Sequence, residues 1–332
     1  MRTPVALIIF NRPDLTERVF TEIACARPEK LLVIADGPRP GREGDAEKCA
    51  AARAIIERVD WPCDVLKNYS DGNMGCARRP ATGLQWVFDQ VEEAIILEDD
   101  CVPHPTFFRF CDDLLEQYRD DERVMHISGN NWLFGQKQTS YSYFFSHYCL
   151  SWGWASWRRA FRHYDPEIKL WPVLRNTSWL MDVLGDRRAV EHWQKMFDLT
   201  YAGIDNVNTW DFQWLFATWA HHSLSILPKI NLVSNIGFGT DATHTREAAN
   251  RLGKLPRSTM IFPLEHPPCM VWDKDVDQLM FDQTIRPLPQ LSLYDKICQK
   301  CAAVLPTPIR RSMSALKFRL SQLKQIDESR SS

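Results

Sequence analysis

Ala94-Ile95-Ile96-Leu97-Glu98-Asp99-Asp100-Cys101-Val102-Pro103-His104-Pro105-Thr106-Phe107-Phe108 is the stretch that decides how this chain is read. Four consecutive apolar residues suit a strand buried on both faces, and they run straight into three acids. From Thr106 onward, Phe107, Cys111, Leu114, Leu115 and Tyr118 recur at helical spacing, so the acids are expected in a strand-to-helix turn.

The same unit repeats toward the N-terminus. Residues 5–10 form another continuous apolar run, followed by Asn11, Arg12 and a helix that Pro13 opens, with Leu15, Val19 and Ile23 on one side. Residues 31–35 give a second buried strand that stops at Asp36-Gly37-Pro38, before an Ala-rich helical stretch over 43–59. A shorter strand over 65–69 leads through Gly72, Asn73 and Gly75 into a helix carrying Ala77, Leu84, Phe88 and Val91. This alternation predicts an α/β fold with a mostly parallel central sheet flanked by helices. After Tyr118 the pattern loosens into short strands over 124–127 and 143–145 and helices near 187–199 and 210–220. From Pro287 it becomes basic and Pro-punctuated. Residues 1–288 therefore read as one domain, with a more regular half over 1–120 and a less regular half over 121–288, and residues 289–332 as a basic helical tail.

Composition narrows the function. In a chain of 332 residues, 45% hydrophobic and 25% charged, a formal net charge of −2 supplies no field for a nucleic-acid backbone. The apolar run over 5–10 meets Asn11-Arg12-Pro13-Asp14 with no small-residue cleavage site, so it reads as a strand, not a signal peptide. No stretch reaches the ~20 apolar residues that span a bilayer, which predicts a cytoplasmic or surface-attached protein. Ten cysteines are scattered through strands and helices without an export signal, which favours free thiols. Cys298 and Cys301 form a C-x-x-C pair with no second pair to complete a zinc site.

Three adjacent carboxylates repel one another unless they share a cation, and hard divalent ions prefer such oxygen donors. In an open α/β sheet, ligands bind at the carboxyl ends of the strands, where Glu98, Asp99 and Asp100 fall. Mn²⁺ or Mg²⁺ there would bridge the two phosphates of a nucleoside diphosphate and offset its charge as it leaves. The plain alternative is a set of acids capping the following helix.

The apolar strand, Glu98-Asp99-Asp100, Pro103, Pro105 and Phe107-Phe108 resemble the acidic motif of N-acetylglucosaminyltransferase I and related GT-A enzymes, and the chain is similar to bacterial family 2-like glycosyltransferases. The resemblance covers roughly residues 3–110, with weaker echoes to about Thr245. It implies a GT-A nucleotide-diphospho-sugar transferase fold in which Asp100 is the direct metal ligand and Asp99 lies nearest the donor sugar or ribose. Asp36 matches the acid that accepts a hydrogen bond from uracil, and Asn11 and Arg12 end the first strand beside it. Asn73, Gly75 and Gly83 resemble the family 2 loop near the nucleotide, with its Arg displaced to Arg78 or Arg79.

An inverting transfer needs a carboxylate to remove the acceptor proton, and Asp211 in Thr209-Trp210-Asp211-Phe212-Gln213-Trp214 resembles the family's Trp/acid segment. An acid in the first turn of a helix is its plain alternative. Trp152, Trp154 and Trp157 around Gly153 offer a sugar-binding surface or core packing, with core packing favoured for at least two of them. The Gly-punctuated stretch over 235–244 has the composition of an ordered loop approaching a ligand, and by resemblance His244 supplies the metal or diphosphate contact. Together these imply transfer of a sugar from a nucleotide-sugar donor, with UDP as carrier, to a glycan or lipid-linked glycan of a bacterial surface polysaccharide. A nucleotidyl- or phosphohydrolase using the same acids, or a non-catalytic glycan-binding subunit on the same fold, remain as alternatives. Over 291–325, Ile309, Met313, Leu316 and Leu320 fall at helical spacing among Lys and Arg, which suits either peripheral attachment to the cytoplasmic face of the inner membrane or docking on protein.

Overall fold

The computed structural model describes residues 1–203, 207–238, 249–253 and 255–285. All of them belong to the unit Met1–Arg286. The tail beyond it, with the C-x-x-C pair and the basic helix expected there, lies outside the described residues.

The chain begins with β1 (Val5–Ile9), whose five residues are all buried, then α1 (Pro13–Ala26), β2 (Lys30–Ala35), α2 (Asp45–Ile56), β3 (Asp64–Tyr69), α3 (Gly75–Gln90) and β4 (Glu93–Glu98). These four strands are parallel, in the spatial order β3-β2-β1-β4. Alternate side chains of the run go to opposite faces. Leu7, Val33 and Leu97 pack on one face with Val19 and Ile23 of α1, and Ile8, Ile34 and Ile96 on the other with Leu84 and Phe88 of α3. Burial of both faces explains the unbroken apolar runs.

The acids are followed first by a three-residue strand, β5 (Cys101–Pro103), and only then by α4 (Pro105–Gln117). The strand-to-helix turn expected from the sequence is thus interrupted, because β5 pairs antiparallel with a late segment of the chain. That segment is β10, introduced below.

Beyond α4 come β6 (Val124–Ser128), β7 (Tyr143–Ser146), β8 (Trp154–Trp157), the single turns α5 (Arg158–Phe161) and α6 (Trp171–Leu174), and the helices α7 (Trp179–Leu184), α8 (Arg187–Tyr201) and α9 (Asp211–Ala220). Then follow β9 (Leu224–Pro228), β10 (Val233–Asn235), α10 (Ala249–Leu252) and α11 (Lys274–Met280). The sheet continues β4-β8-β6-β9-β7, with β8 antiparallel to β4 and β6, β6 parallel to β9 and β7 antiparallel to β9. The expected α/β architecture is present, as one eight-stranded mixed sheet flanked by helices. Its parallel character is confined to the first half and to the β6–β9 pair.

The second half has its own aromatic core, in which Trp171, Trp193, Phe197, Phe216 and Trp219 meet, largely edge-to-face. α9 takes part in two cores. Trp210 and Trp214 pack with Trp154 and Phe161 against the sheet, while Leu215, Phe216 and Trp219 face the aromatic core. Of the three Trp around Gly153, Trp154 and Trp157 are buried, and Trp152 is partly exposed.

Candidate active site

The carboxyl ends of β1, β2, β3 and β4 lie side by side, so the segments leaving them share one edge of the sheet. The acidic turn ends β4. Arg12 leaves β1 next to it and sends its guanidinium to the acids: Nη1 lies 2.9 Å from Asp100 Oδ2, Nε lies 3.4 Å from Asp99 Oδ2, and Nη2 contacts Asp99 Oδ1. The Phe10 backbone N–H also donates to Asp99 Oδ2, at 3.3 Å. Asp100 is held from its other side, where Asn235 Nδ2 donates to Oδ1 at 3.1 Å and the Ile236 N–H donates to the Asp100 carbonyl at 2.8 Å.

That second clamp exists because β10 pairs with β5, with Asn235 opposite Cys101. It brings Gly237 against the turn so closely that a Cβ there would stand 2.1 Å from Asp100 Oδ2 and 3.0 Å from Arg12 Nη1. Asn235 and Gly237 are site residues that sequence reading did not single out individually. The polar, Gly-punctuated composition of their loop was the available signal, and for 235–238 the close neighbour is the acidic turn. His244 lies outside the described residues.

One guanidinium faces three acids, and the imbalance shows in the proton affinities of Glu98 and Asp99. Burial, then the charges of Asp100 and Asp99, push the Glu98 carboxyl up to about 8, against the pull of Arg12 and with Asp211 adding its own negative charge. Asp99 is pushed up to about 6 by burial, which outweighs Arg12. The Arg12 guanidinium, whose burial works against its charge, is held well above its ordinary range by Asp99 and Asp100.

Asp211 opens α9, as expected, on the side of the acidic turn, where its negative charge adds to that of Glu98 on the thiol of Cys76 and, in smaller measure, raises the Glu98 carboxyl. Several contacts carry it there. Cys76 Sγ at the start of α3 lies 3.2 Å from the Asn208 carbonyl, Tyr164 Oη donates to the Trp210 carbonyl at 3.2 Å, and Trp210 stacks on Trp154 at 5.6 Å. Thr209 Oγ1 donates to Asp211 Oδ1.

Two assignments need correction. Arg79 is buried, with Nε donating to the Ala35 carbonyl at 3.2 Å and Nη2 to Asn68 Oδ1 at 2.7 Å, so its fork ties together the ends of β2 and β3 and cannot reach a diphosphate. Arg78 is the exposed member of the pair. Asp36 accepts four hydrogen bonds within the chain: Gly37 N–H at 2.9 Å and Met74 N–H at 2.8 Å on Oδ1, Asn73 Nδ2 at 2.9 Å and Gly75 N–H at 3.0 Å on Oδ2. Four is about the full acceptor capacity of a carboxylate, so no lone pair is left for a uracil N–H. Asp36 and Asn73 instead fix the loop that opens α3. Asn11 donates to Asp45 at 2.8 Å, alongside the two-pronged Arg39–Asp45 ion pair at 2.6 and 2.8 Å.

A divalent cation can be tested against this donor set. Among the described residues no three Asp, Glu, His or Cys side chains converge as a closed cage. A cage is not required, because Mg²⁺-type ions are commonly held by one or two carboxylates together with substrate phosphates. All-oxygen donors with an uncompensated negative charge fit such an ion, with Asp100 and its neighbours as the protein's share.

No family model and no curated relative matches the chain. Among solved structures it is similar to a UDP-glucose pyrophosphorylase complexed with UDP-glucose, at 12% identity and a TM-score of 0.25 over 44% of this chain. It spans 62% of that protein's length. It is also similar to mouse xyloside xylosyltransferase 1 in its apo form, at 10% identity and a TM-score of 0.32, over 65% of this chain and 81% of the other. Both likenesses are too distant to say anything of chemistry.

Proposed function

We propose that this protein is an inverting glycosyltransferase of the GT-A type, which moves a sugar from a UDP-linked donor to a hydroxyl of a glycan or lipid-linked glycan in bacterial surface polysaccharide synthesis. The observation that carries the reading is the acidic turn itself, Glu98, Asp99 and Asp100 at the carboxyl end of a parallel strand, held by Arg12 and Asn235, with Asp211 at the head of α9 near enough to add its charge to that of the turn.

In this reading Asp100 would hold Mn²⁺ or Mg²⁺, Asp99 would lie nearest the donor sugar or ribose, and the ion, when bound, would offset the charge of the departing diphosphate. Arg12 and the exposed Arg78 add positive charge on the same side. Asp211 takes the proton from the acceptor hydroxyl as that oxygen attacks the anomeric carbon from the face opposite the diphosphate. The partly exposed Trp152, 5.3 Å from Phe238 and 4.8 Å from Trp132 between ring centres, offers an apolar wall for a sugar face.

Titration of UDP with and without Mn²⁺, followed by a panel of nucleotide sugars assayed for metal-dependent hydrolysis, tests the reading. Metal-dependent UDP binding with turnover of one sugar nucleotide is expected, and UDP binding indifferent to Mn²⁺ counts against it. Asp211→Asn should leave UDP affinity nearly unchanged and lower turnover by ~10²–10⁴. Loss of UDP binding with turnover kept at saturating donor removes Asp211 as the base.

A further inference from the structure

We propose that Arg12 is a tethered counter-cation of the acidic turn, which a divalent ion displaces from Asp100 and which then turns its fork toward the donor diphosphate. The inference rests on the donor reading above and adds an exchange to it.

The geometry leaves few other routes to Asp100. Its Oδ1 is taken by Asn235 at 3.1 Å and neighboured by Cys101 Sγ at 3.4 Å. Gly237 lies so close to its Oδ2 that a Cβ there would stand 2.1 Å away, and Arg12 Nη1 holds the same oxygen at 2.9 Å. A dication on Oδ2 would stand within a few ångströms of the guanidinium. Two positive charges that close repel strongly in a partly buried setting, so occupation of Oδ2 by the one excludes the other.

Arg12 is built for such a move. Its backbone is fixed, since its carbonyl accepts the Thr16 N–H at 2.9 Å and the Thr16 hydroxyl at 2.9 Å at the head of α1. Its side chain is 30% exposed, while that of Asp100 is 11% exposed. The guanidinium can therefore swing on a stationary stem while the acid stays in place. Its planar fork matches phosphate oxygens as well as it matches carboxylates. The glycine at 237 keeps the space between Asp100 and Arg12 free of any side chain.

The exchange predicts opposite effects on two affinities, which a purely structural arginine would not produce. With the full chain, calorimetric titration of Mn²⁺ alone should give about tenfold tighter binding to Arg12→Met than to wild type, the size of one charge-assisted contact released. Titration of UDP at saturating Mn²⁺ should be about tenfold weaker for the same variant. Arg12→Lys, which keeps the charge and loses the fork, should fall between them in both. Unchanged or weaker Mn²⁺ binding by Arg12→Met overturns the exchange while leaving the donor reading intact. A wild-type chain that binds UDP with no dependence on Mn²⁺ overturns both. If the methionine variant does not fold, the wild-type Arg12 Nε–Hε resonance decides: it should shift when Mg²⁺ alone is added, and an unmoved resonance at saturating Mg²⁺ overturns the exchange.

Discussion

Glu98 answers the excess of acids over Arg12 by holding on to its proton. Its carboxyl is ordinarily half-titrated near 4.5 and is pushed up to about 8, by burial first and by its acidic neighbours second. The folded chain therefore keeps a proton that the unfolded chain releases across this interval. The stability it contributes is complete below about 4.5 and is lost as pH rises toward 8. Without divalent ions, the melting temperature should fall between pH 5 and pH 8.5, and Glu98→Gln should flatten that slope. An unaltered slope in the variant would assign the effect to another group. Asp100→Ala should leave the protein folded and abolish Mn²⁺-dependent UDP binding, because it removes the carboxylate that Asn235 holds beside Arg12. Unchanged UDP affinity in the presence of Mn²⁺ would sink that assignment. At Gly237, alanine drives a methyl into Asp100 Oδ2 and should weaken UDP binding in Mn²⁺ with little change in melting temperature. A variant that binds as wild type does would show that the 235–238 segment can retreat freely.

At the scale of the element, α9 explains how an acid distant in sequence from the acidic turn is brought to its side of the sheet. Trp214 anchors the helix. It is 1% exposed and its Nε1 donates to His126 Nδ1 at 3.2 Å, while His126 Nε2 lies 3.2 Å from the Leu150 carbonyl. An imidazole placed this way is neutral, and burial pulls its pKa down to about 3. Trp214→Ala should cost about 3–5 kcal/mol in a urea melt, by cavity formation and by leaving His126 without its donor. Because Asp211 rides on the same helix, turnover should fall further than UDP affinity. Equal losses in both would mean that the helix does not steer the acid. What the sequence disclosed follows from the same distinction between local and distant contacts. β1, β2 and β4 were legible because strands covered on both faces leave continuous apolar runs, and the acidic turn was legible because its charge interrupts one of them. β8 was not, since Trp154-Ala155-Ser156-Trp157 has no apolar run and its strand character comes from pairing with β4 and β6. The β5–β10 ribbon joins residues more than a hundred positions apart, and no local pattern announces Asn235 as a partner of Asp100. The Arg79 fork was misassigned for a related reason: the carbonyls it binds become neighbours only once β2 and β3 pair.

At the scale of the whole molecule, no helix among the described residues is long and apolar enough to cross a membrane. Peripheral attachment through the basic stretch over 291–325, which lies outside the described residues, is proposed from its charge and periodicity alone. The full chain should pellet with anionic but not neutral vesicles in a salt-sensitive way, and a chain ending at Pro289 should not. Equal pelleting of both, or of neither, removes the membrane role. A last consequence comes from β4, which pairs with β1 on one side and with β8 on the other. The core on one face of the sheet takes Leu7 and Val33 from the first half together with Tyr143 and Ile226 from the second, and the opposite face mixes Ile8 and Leu84 with Trp154 and Trp214 in the same way. The two halves are not interchangeable cassettes. A chimera that grafts residues 121–288 of another protein onto residues 1–120 would have to recreate both shared cores at once, so a change in the acceptor specificity proposed above is better attempted by exchanging the surface segments around Trp132, Trp152 and Phe238.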